Sequence, residues 1–496
     1  MSMLTAKQSP GQQADGLPGG AALIGAKSTA FKAGLGCLAG VLLIAQAVTV
    51  QAANFNPFGS EYEVIGSKKG SQDASAVALG ASKGAVVWQD NQVDSDGLGI
   101  GMQWLNQSSS PLFSSFRVNQ TETGDQEHPR VAMLAGDGAV VVWQGGSEVD
   151  TDIYARFLSA DGTFLTGEIK VNTFTDLLQI DPDVAVLADG SVVVVWSSFN
   201  QDGSYQGVYG QRFSSNGVKV GAEFQINQYV LNNQRNPSVT GLTGGGFVVT
   251  WVSEKPSQVQ INNQLTPVDG GTWVQQVVNN IEINARRYDA AGAAIGNEFR
   301  VDNGGQVCSS PSVCAREDGG FSVVWNQNVK GEDWDIYTRS YDATTTALSS
   351  AFIVNTDTDG KQYLPKAVAS GNQLLVVWTS IKNDSFWDDI KGRFVGLAAA
   401  GSDAEIMVNS QYLSIQNQPS LGMNRAGQAL VVWTTFAGGE KSGDLHAQRF
   451  YSNQPLPAGP TPVVSGRDSS SIIVSWSDLL GLGVDAYFIS VDGIAG

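Results

Sequence analysis

Histidine is almost missing from this chain: His128 and His446 are the only two in 496 residues. That leaves little material for a multi-histidine zinc site or for catalysis by several imidazoles. Charge is scarce as well, at 15% of residues against the usual ~25%. Basic residues are the scarcer sign, with 29 Lys+Arg against 47 Asp+Glu and a net charge of -18. A polyanion of this kind repels nucleic acid and anionic membrane, so neither is expected as a partner. Cysteine is limited to Cys37, Cys308 and Cys314, and no His-Glu-x-x-His or phosphate loop occurs. What is plentiful is glycine (58), tryptophan (12) and apolar residues (42%). That balance argues against disorder and coiled coil, and it suits an all-β protein with many tight turns.

The N-terminus stands apart. Lys27 and Lys32 precede an apolar run over 33–50, which ends in Val50-Gln51-Ala52-Ala53. The pattern predicts an export signal over 1–52 with cleavage between Ala52 and Ala53. The run approaches the length of a membrane span, but Gly34, Gly36, Gly40 and Gln46 weaken it. Cleavage removes three lysines and one aspartate, taking the net charge from -18 to -20. Cys308 and Cys314 then remain as an even pair in an oxidising compartment, which makes them a candidate disulfide; two small buried thiols are the alternative.

Tryptophan after a valine-rich run recurs at Trp88, Trp143, Trp196, Trp251, Trp325, Trp378 and Trp433, at intervals of 55, 53, 55, 74, 53 and 55. Each unit reads as four strands. The first follows Gln-x-x-Pro, as at Gln179 to Pro182; Ser75 takes the proline place in the first unit. The fifth unit carries two extra residues between Gln306 and Pro311 on this reading. The second strand is the tryptophan run, joined to the first by a glycine turn such as Asp189-Gly190. The third resembles Ile-Tyr-x-x-Arg-Phe, and the fourth Glu-Phe-x-Val-Asn, as at Glu168 to Asn172. The last unit lacks a fourth strand, and a matching segment, Glu61 to Ile65, stands at the front of the mature chain. A ring of radial sheets can close by pairing the first strand of the chain into the last blade, which hides the edges an open array exposes. The pattern therefore predicts an all-β, seven-bladed β-propeller over 60–453, with the N-terminal strand closing the last blade. A linear β-solenoid has no reason to share a strand this way.

Loops joining second to third strands share one face and are acidic. Asp94, Asp96, Asp150, Asp152, Asp202, Asp333, Asp335, Asp388, Asp389 and Asp444 fall there. The long interval comes from an insertion in the same loop class that holds Trp273. Trp334 and Trp387 sit beside these loops and could stack on sugars, or pack between blades. The face is a candidate ligand site for a glycan or an extracellular protein, with calcium possible at Asp94 and Asp96. Solvated carboxylates that keep an exported protein soluble give the same pattern. An enzyme needs two opposed carboxylates, and no pair stands out from the repeats. The Asp-box of sialidases is absent, because Trp196 lies six positions beyond Gly190.

Pro455, Pro457, Pro460 and Pro462 mark an extended linker over 454–462. The stretch over 463–496 resembles the start of a fibronectin type III domain, an immunoglobulin-like β-sandwich: Val463-Val464, then Ser471 to Trp476 with Trp476 at the core position, then Ala486 to Val491. It is too short for a full sandwich, so further C-terminal modules are expected beyond Gly496. The propeller repeats resemble the tandem Val-Val-Trp repeats of large secreted bacterial proteins. That resemblance implies a secreted or cell-surface binding or adhesion role and carries over no site residue. The alternatives are a carbohydrate-active propeller enzyme, hydrolase or lyase, and a purely structural spacer.

Overall fold

A computed structural model describes residues 55–66, 68–147, 149–256, 279–328, 333–382, 387–401, 403–410, 414–436, 443–452, 463–467 and 472–475. The export signal with Ala52 and Ala53, Trp273 with its insertion, and Trp476 lie outside the described residues. Among those residues there are strands and no helix, hence none long and apolar enough to cross a membrane.

The strands form four-stranded antiparallel meanders. The third is typical: Gln179–Val186, Val192–Phe199, Gln206–Phe213 and Lys219–Gln225 pair in chain order. Blades 1 to 6 cover 72–117, 125–170, 179–225, 234–300, 307–353 and 361–407. Blades 4 and 5 join through one parallel pair, Ile281 with Val307. Blade 7 holds Ile415–Met423, Gln428–Phe436 and Gly443–Ser452, and its outer strand is Phe55–Glu63 from the other end of the chain. The first strands of the blades touch one another in cyclic order, blade 7 against blade 1 included. The architecture is a closed β-propeller.

Burial follows from this arrangement. Each tryptophan strand lies in the middle of its sheet with neighbouring blades on both faces, so its valines are buried all along. The core is shared between consecutive blades. One cluster holds Val142 and Phe157 of blade 2 with Val194 and Trp196 of blade 3; another holds Val64, Val432 and Leu445 of blade 7 with Val86 and Trp88 of blade 1. All seven repeat tryptophans are at most 1% exposed.

In four of the five Gln-x-x-Pro copies the glutamine serves that tryptophan. Gln126, Gln179, Gln362 and Gln416 accept hydrogen bonds from the indole nitrogens of Trp143, Trp196, Trp378 and Trp433, at 2.7–3.3 Å. The fifth blade corrects the sequence reading. Cys308, and not Gln306, occupies the glutamine place, because it pairs with Gln327 as Gln179 pairs with Ser198. The blade is therefore not lengthened, and Gln327 takes the Trp325 indole instead, at 3.2 Å.

The disulfide expectation is also overturned: Cys308 and Cys314 are buried free thiols. They sit six residues apart on one strand, Val307–Ala315, so at ~3.3 Å per residue their backbones are far too distant for a bridge. Cys308 packs in the core between blades 4 and 5, and Cys314 in the core between blades 5 and 6.

Val463–Arg467 and Ile472–Ser475 form an antiparallel pair. The third sandwich-like segment, over 486–491, is outside the described residues.

Candidate functional site

Much of what repeats has a structural use. Past the fourth strand of five blades an asparagine folds back onto its own blade, and Asp302 takes that place in blade 4. Asn119, Asn172, Asn355 and Asn409 accept the backbone N–H of Ile100, Ile153, Ile336 and Ile390 at 2.7–2.8 Å. Their amide nitrogens donate to Asp94, Asp152, Asp335 and Asp389 at 2.6–2.9 Å. Four of the acidic loop residues are thus braces within their blades. Fourth strands such as Phe116–Arg117 and Ile169–Lys170 are only two residues long, whereas Lys219–Gln225, followed by the same brace at Asn227, has seven.

The motif glutamates latch neighbouring blades. Glu168 accepts from the Thr121 hydroxyl at 2.8 Å, Glu223 from the Thr173 hydroxyl at 2.9 Å, and Glu405 from the Thr356 hydroxyl at 2.9 Å. The motif arginines do the same: Arg156, Arg286, Arg339 and Arg393 each donate to the carbonyl just past the fourth strand of the preceding blade at 2.6–3.0 Å.

The remaining loop residues are dispersed. Asp202 accepts from Gln225 at 3.3 Å, Asp96 from Gly124 N–H at 3.3 Å, and Asp333 from Gly360 N–H at 3.0 Å. Asp388 accepts from the Tyr363 hydroxyl at 3.0 Å, and burial pushes its carboxyl up. Asp444 is pushed up as well, first by burial and then by the Glu63 charge. Asp150 and Trp387 are exposed, and Trp334 is half-buried at the start of its strand. Asp94 also accepts from the Asp96 N–H at 3.4 Å, closing the loop on itself. Among the described residues no three His, Cys, Asp or Glu side chains gather as a metal site.

The chain contains one Gly-x-Ser-x-Gly pentad, Gly80 to Gly84. It forms the hairpin between Gln72–Leu79 and Lys83–Asp90, and Ser82 bonds Asp137. A nucleophile elbow needs a strand-to-helix turn, so this serine is not one.

What does not repeat lies on the axis. Every first strand carries a bulge at the residue before the proline place: Ala74, His128, Asp181, Asn236, Ser310, Leu364 and Gln418 all have φ between 48° and 55°. Left-handed backbone costs such residues roughly 1–2 kcal/mol each. Partners from the preceding blade hold the bulges, as when Gln144 accepts the Asp181 N–H at 3.0 Å and Gln418 the Ala74 N–H at 2.9 Å. The backbone is constant there while the side chain changes from blade to blade. The residue after the proline place varies likewise: Ala76, Arg130, Asp183, Ser238, Ser312, Lys366 and Ser420.

These two positions, with the prolines between them, line a cavity of about 150 Å³ drawn from blades 2 to 6. Arg130, Asp181, Asp183 and Lys366 are its charged groups. Asp181 lies 3.2 Å from His128 Nδ1 and accepts from Asn236 at 2.9 Å. Asp183 accepts the N–H of Val184 at 3.0 Å and of Val239 at 2.8 Å. Burial pulls the Lys366 amine down to about 8; Arg130 adds to that and Asp183 opposes it. None of these four charged side chains was singled out by the sequence, because its motifs mark what recurs. The signal was the reverse one, namely side-chain variation at two fixed offsets from the proline.

No family model matches the chain, and no curated protein matches it. Solved structures do. The β-propeller domain of the trilobed protease from Pyrococcus furiosus is 10% identical, with a TM-score of 0.43, covering 78% of this chain and 100% of that one. A polysaccharide lyase is 8% identical, with a TM-score of 0.45, covering 76% and 90%. An α-L-arabinofuranosidase from Fusarium graminearum is 11% identical, with a TM-score of 0.41, covering 69% and 98%. At these identities none assigns an activity or a site residue to this chain.

Proposed function

We propose that the chain is an exported, non-catalytic binding module that recognises a glycan at the mouth of its central channel. The observation that supports this most is the axial cavity, a polar concavity on a braced ring whose lining varies while its backbone does not. The side chains that must be constant for folding lie elsewhere, in the indole–glutamine, asparagine and glutamate contacts. The first strands begin on the face where the second-to-third-strand loops also lie, so a ligand entering the channel there passes Trp387 and the acidic loops. The pattern over 1–52 supports export, and N-terminal sequencing of the secreted chain is expected to begin at Ala53. A glycan array tests the binding itself: retention of at least one glycan class, with no turnover, supports the module, and no binding to any glycan contradicts it.

A second reading is a carbohydrate-active enzyme. The contact between His128 and Asp181 beside the cavity favours it, since a paired imidazole and carboxylate can move a proton. Turnover of a polysaccharide panel that His128→Ala abolishes would favour this reading; an inert panel leaves the binding module.

A further inference from the structure

The charged groups of the axial cavity are not equivalent. Its two carboxylates are already engaged, Asp183 by two backbone amides and Asp181 by His128 and Asn236. Its two cations are not engaged in the same way. Among the described residues, Arg130 donates only to the carbonyl of its own neighbour Pro129, at 2.9 Å, and Lys366 has no hydrogen-bond acceptor. Arg130 comes from blade 2 and Lys366 from blade 6, which are not neighbours in the ring, so the pair faces across the axis. Among the charged groups of the cavity, the hydrogen-bonding capacity left over is therefore mainly that of the two cations, one on each side.

We propose that the axial cavity is an oxyanion site, in which Arg130 and Lys366 hold a carboxylate or sulfate group from opposite walls. The guanidinium fork suits the two oxygens of such a group, and the ammonium supplies a point charge. Charge–charge attraction is stronger in this walled setting than in open water. The room suffices: about 150 Å³ is roughly ten times the ~10–15 Å³ that one water needs. The Arg130 charge disfavours the charged form of Lys366, and an anion held between the two relieves that repulsion. The proposal rests on the glycan reading in taking the oxyanion to be borne by an acidic saccharide. A free inorganic oxyanion has the same chemistry.

Titration calorimetry on the full chain separates these sources, using sodium sulfate, an oligogalacturonate and a neutral oligosaccharide. Wild type is compared with Arg130→Gln and Lys366→Met, each checked by thermal melting. Lys366→Gln, which keeps a polar tip, replaces the methionine variant if that one fails to fold. Sulfate and oligogalacturonate are both expected to bind, with affinity falling at least about tenfold in each variant. Sulfate binding alone, weakened in both variants, supports the oxyanion site and contradicts the glycan reading. A neutral oligosaccharide held equally by all the proteins, with the anions ignored, overturns the oxyanion site and leaves the glycan reading in place. Anion binding that survives both substitutions also overturns it.

Discussion

Glu61 Oε1 lies 2.6 Å from His446 Nδ1, which ties the first strand of the propeller to the last across 385 positions of sequence. The other oxygen of the same carboxylate accepts from the Ser410 hydroxyl at 2.6 Å, repeating on blade 6 the latch that Glu168 makes on blade 1. One side chain therefore serves both the pairing that closes the ring and the packing of blade 7 against blade 6. Burial alone would raise the Glu61 pKa, and the bonds from His446 and Ser410 outweigh it, so the net direction is down. Because the folded value is depressed, the stabilisation is present above the ordinary value of 4.5 and is lost as pH falls below it. Glu61→Gln is expected to cost about 1–3 kcal/mol at neutral pH. Thermal unfolding at neutral and acidic pH measures this, and the gap between the two proteins should narrow on acidification.

The asparagine brace carries a second prediction. Asn172→Ala strips the acceptor from the buried Ile153 N–H and the donor from Asp152. A loss of about 1–3 kcal/mol is expected, because a buried amide is left unpaired. Asp150→Asn, at an exposed position in the same loop, should change stability little. Chemical denaturation of both variants makes the comparison.

A third concerns the tryptophans. Trp196 is fully buried in the core between blades 2 and 3, and Trp196→Ala should cost about 3–5 kcal/mol. Trp196→Phe keeps most of the volume but leaves Gln179 without its indole donor, so it should fall between the two. Calorimetric melting orders the three proteins.

The fourth is chemical. Burial pushes both thiols up, Cys314 to about 12, so neither is a reactive thiolate near neutrality. Thiol reagents are expected to leave Cys308 and Cys314 unlabelled in the folded chain and to label both after unfolding. Melting temperatures with and without reductant should agree.

The ring was legible because its period is written in side chains that every blade needs. The tryptophan meets its motif glutamine in blades 2, 3, 6 and 7, and the displaced Glu61 segment announced where the chain closes. Cys308 was misplaced because its neighbour Gln306 imitates the motif by one position pair; only strand pairing reveals that Gln327 has taken over the indole. The acidic loops drew attention by composition, yet Asp94, Asp152, Asp335 and Asp389 recur because the asparagines need acceptors. Arg130 and Lys366 could not be paired from sequence, since 236 positions separate them and only the closed ring sets them face to face.

The most direct test of this account asks whether binding belongs to the axis or to the loops. Glycan binding should be measured for an Arg130→Gln/Lys366→Met double variant beside an Asp150→Asn/Trp387→Ala double variant, both confirmed as folded. Loss of binding in the axial variant with retention in the loop variant is the predicted result. Retention in the axial variant with loss in the loop variant would contradict it.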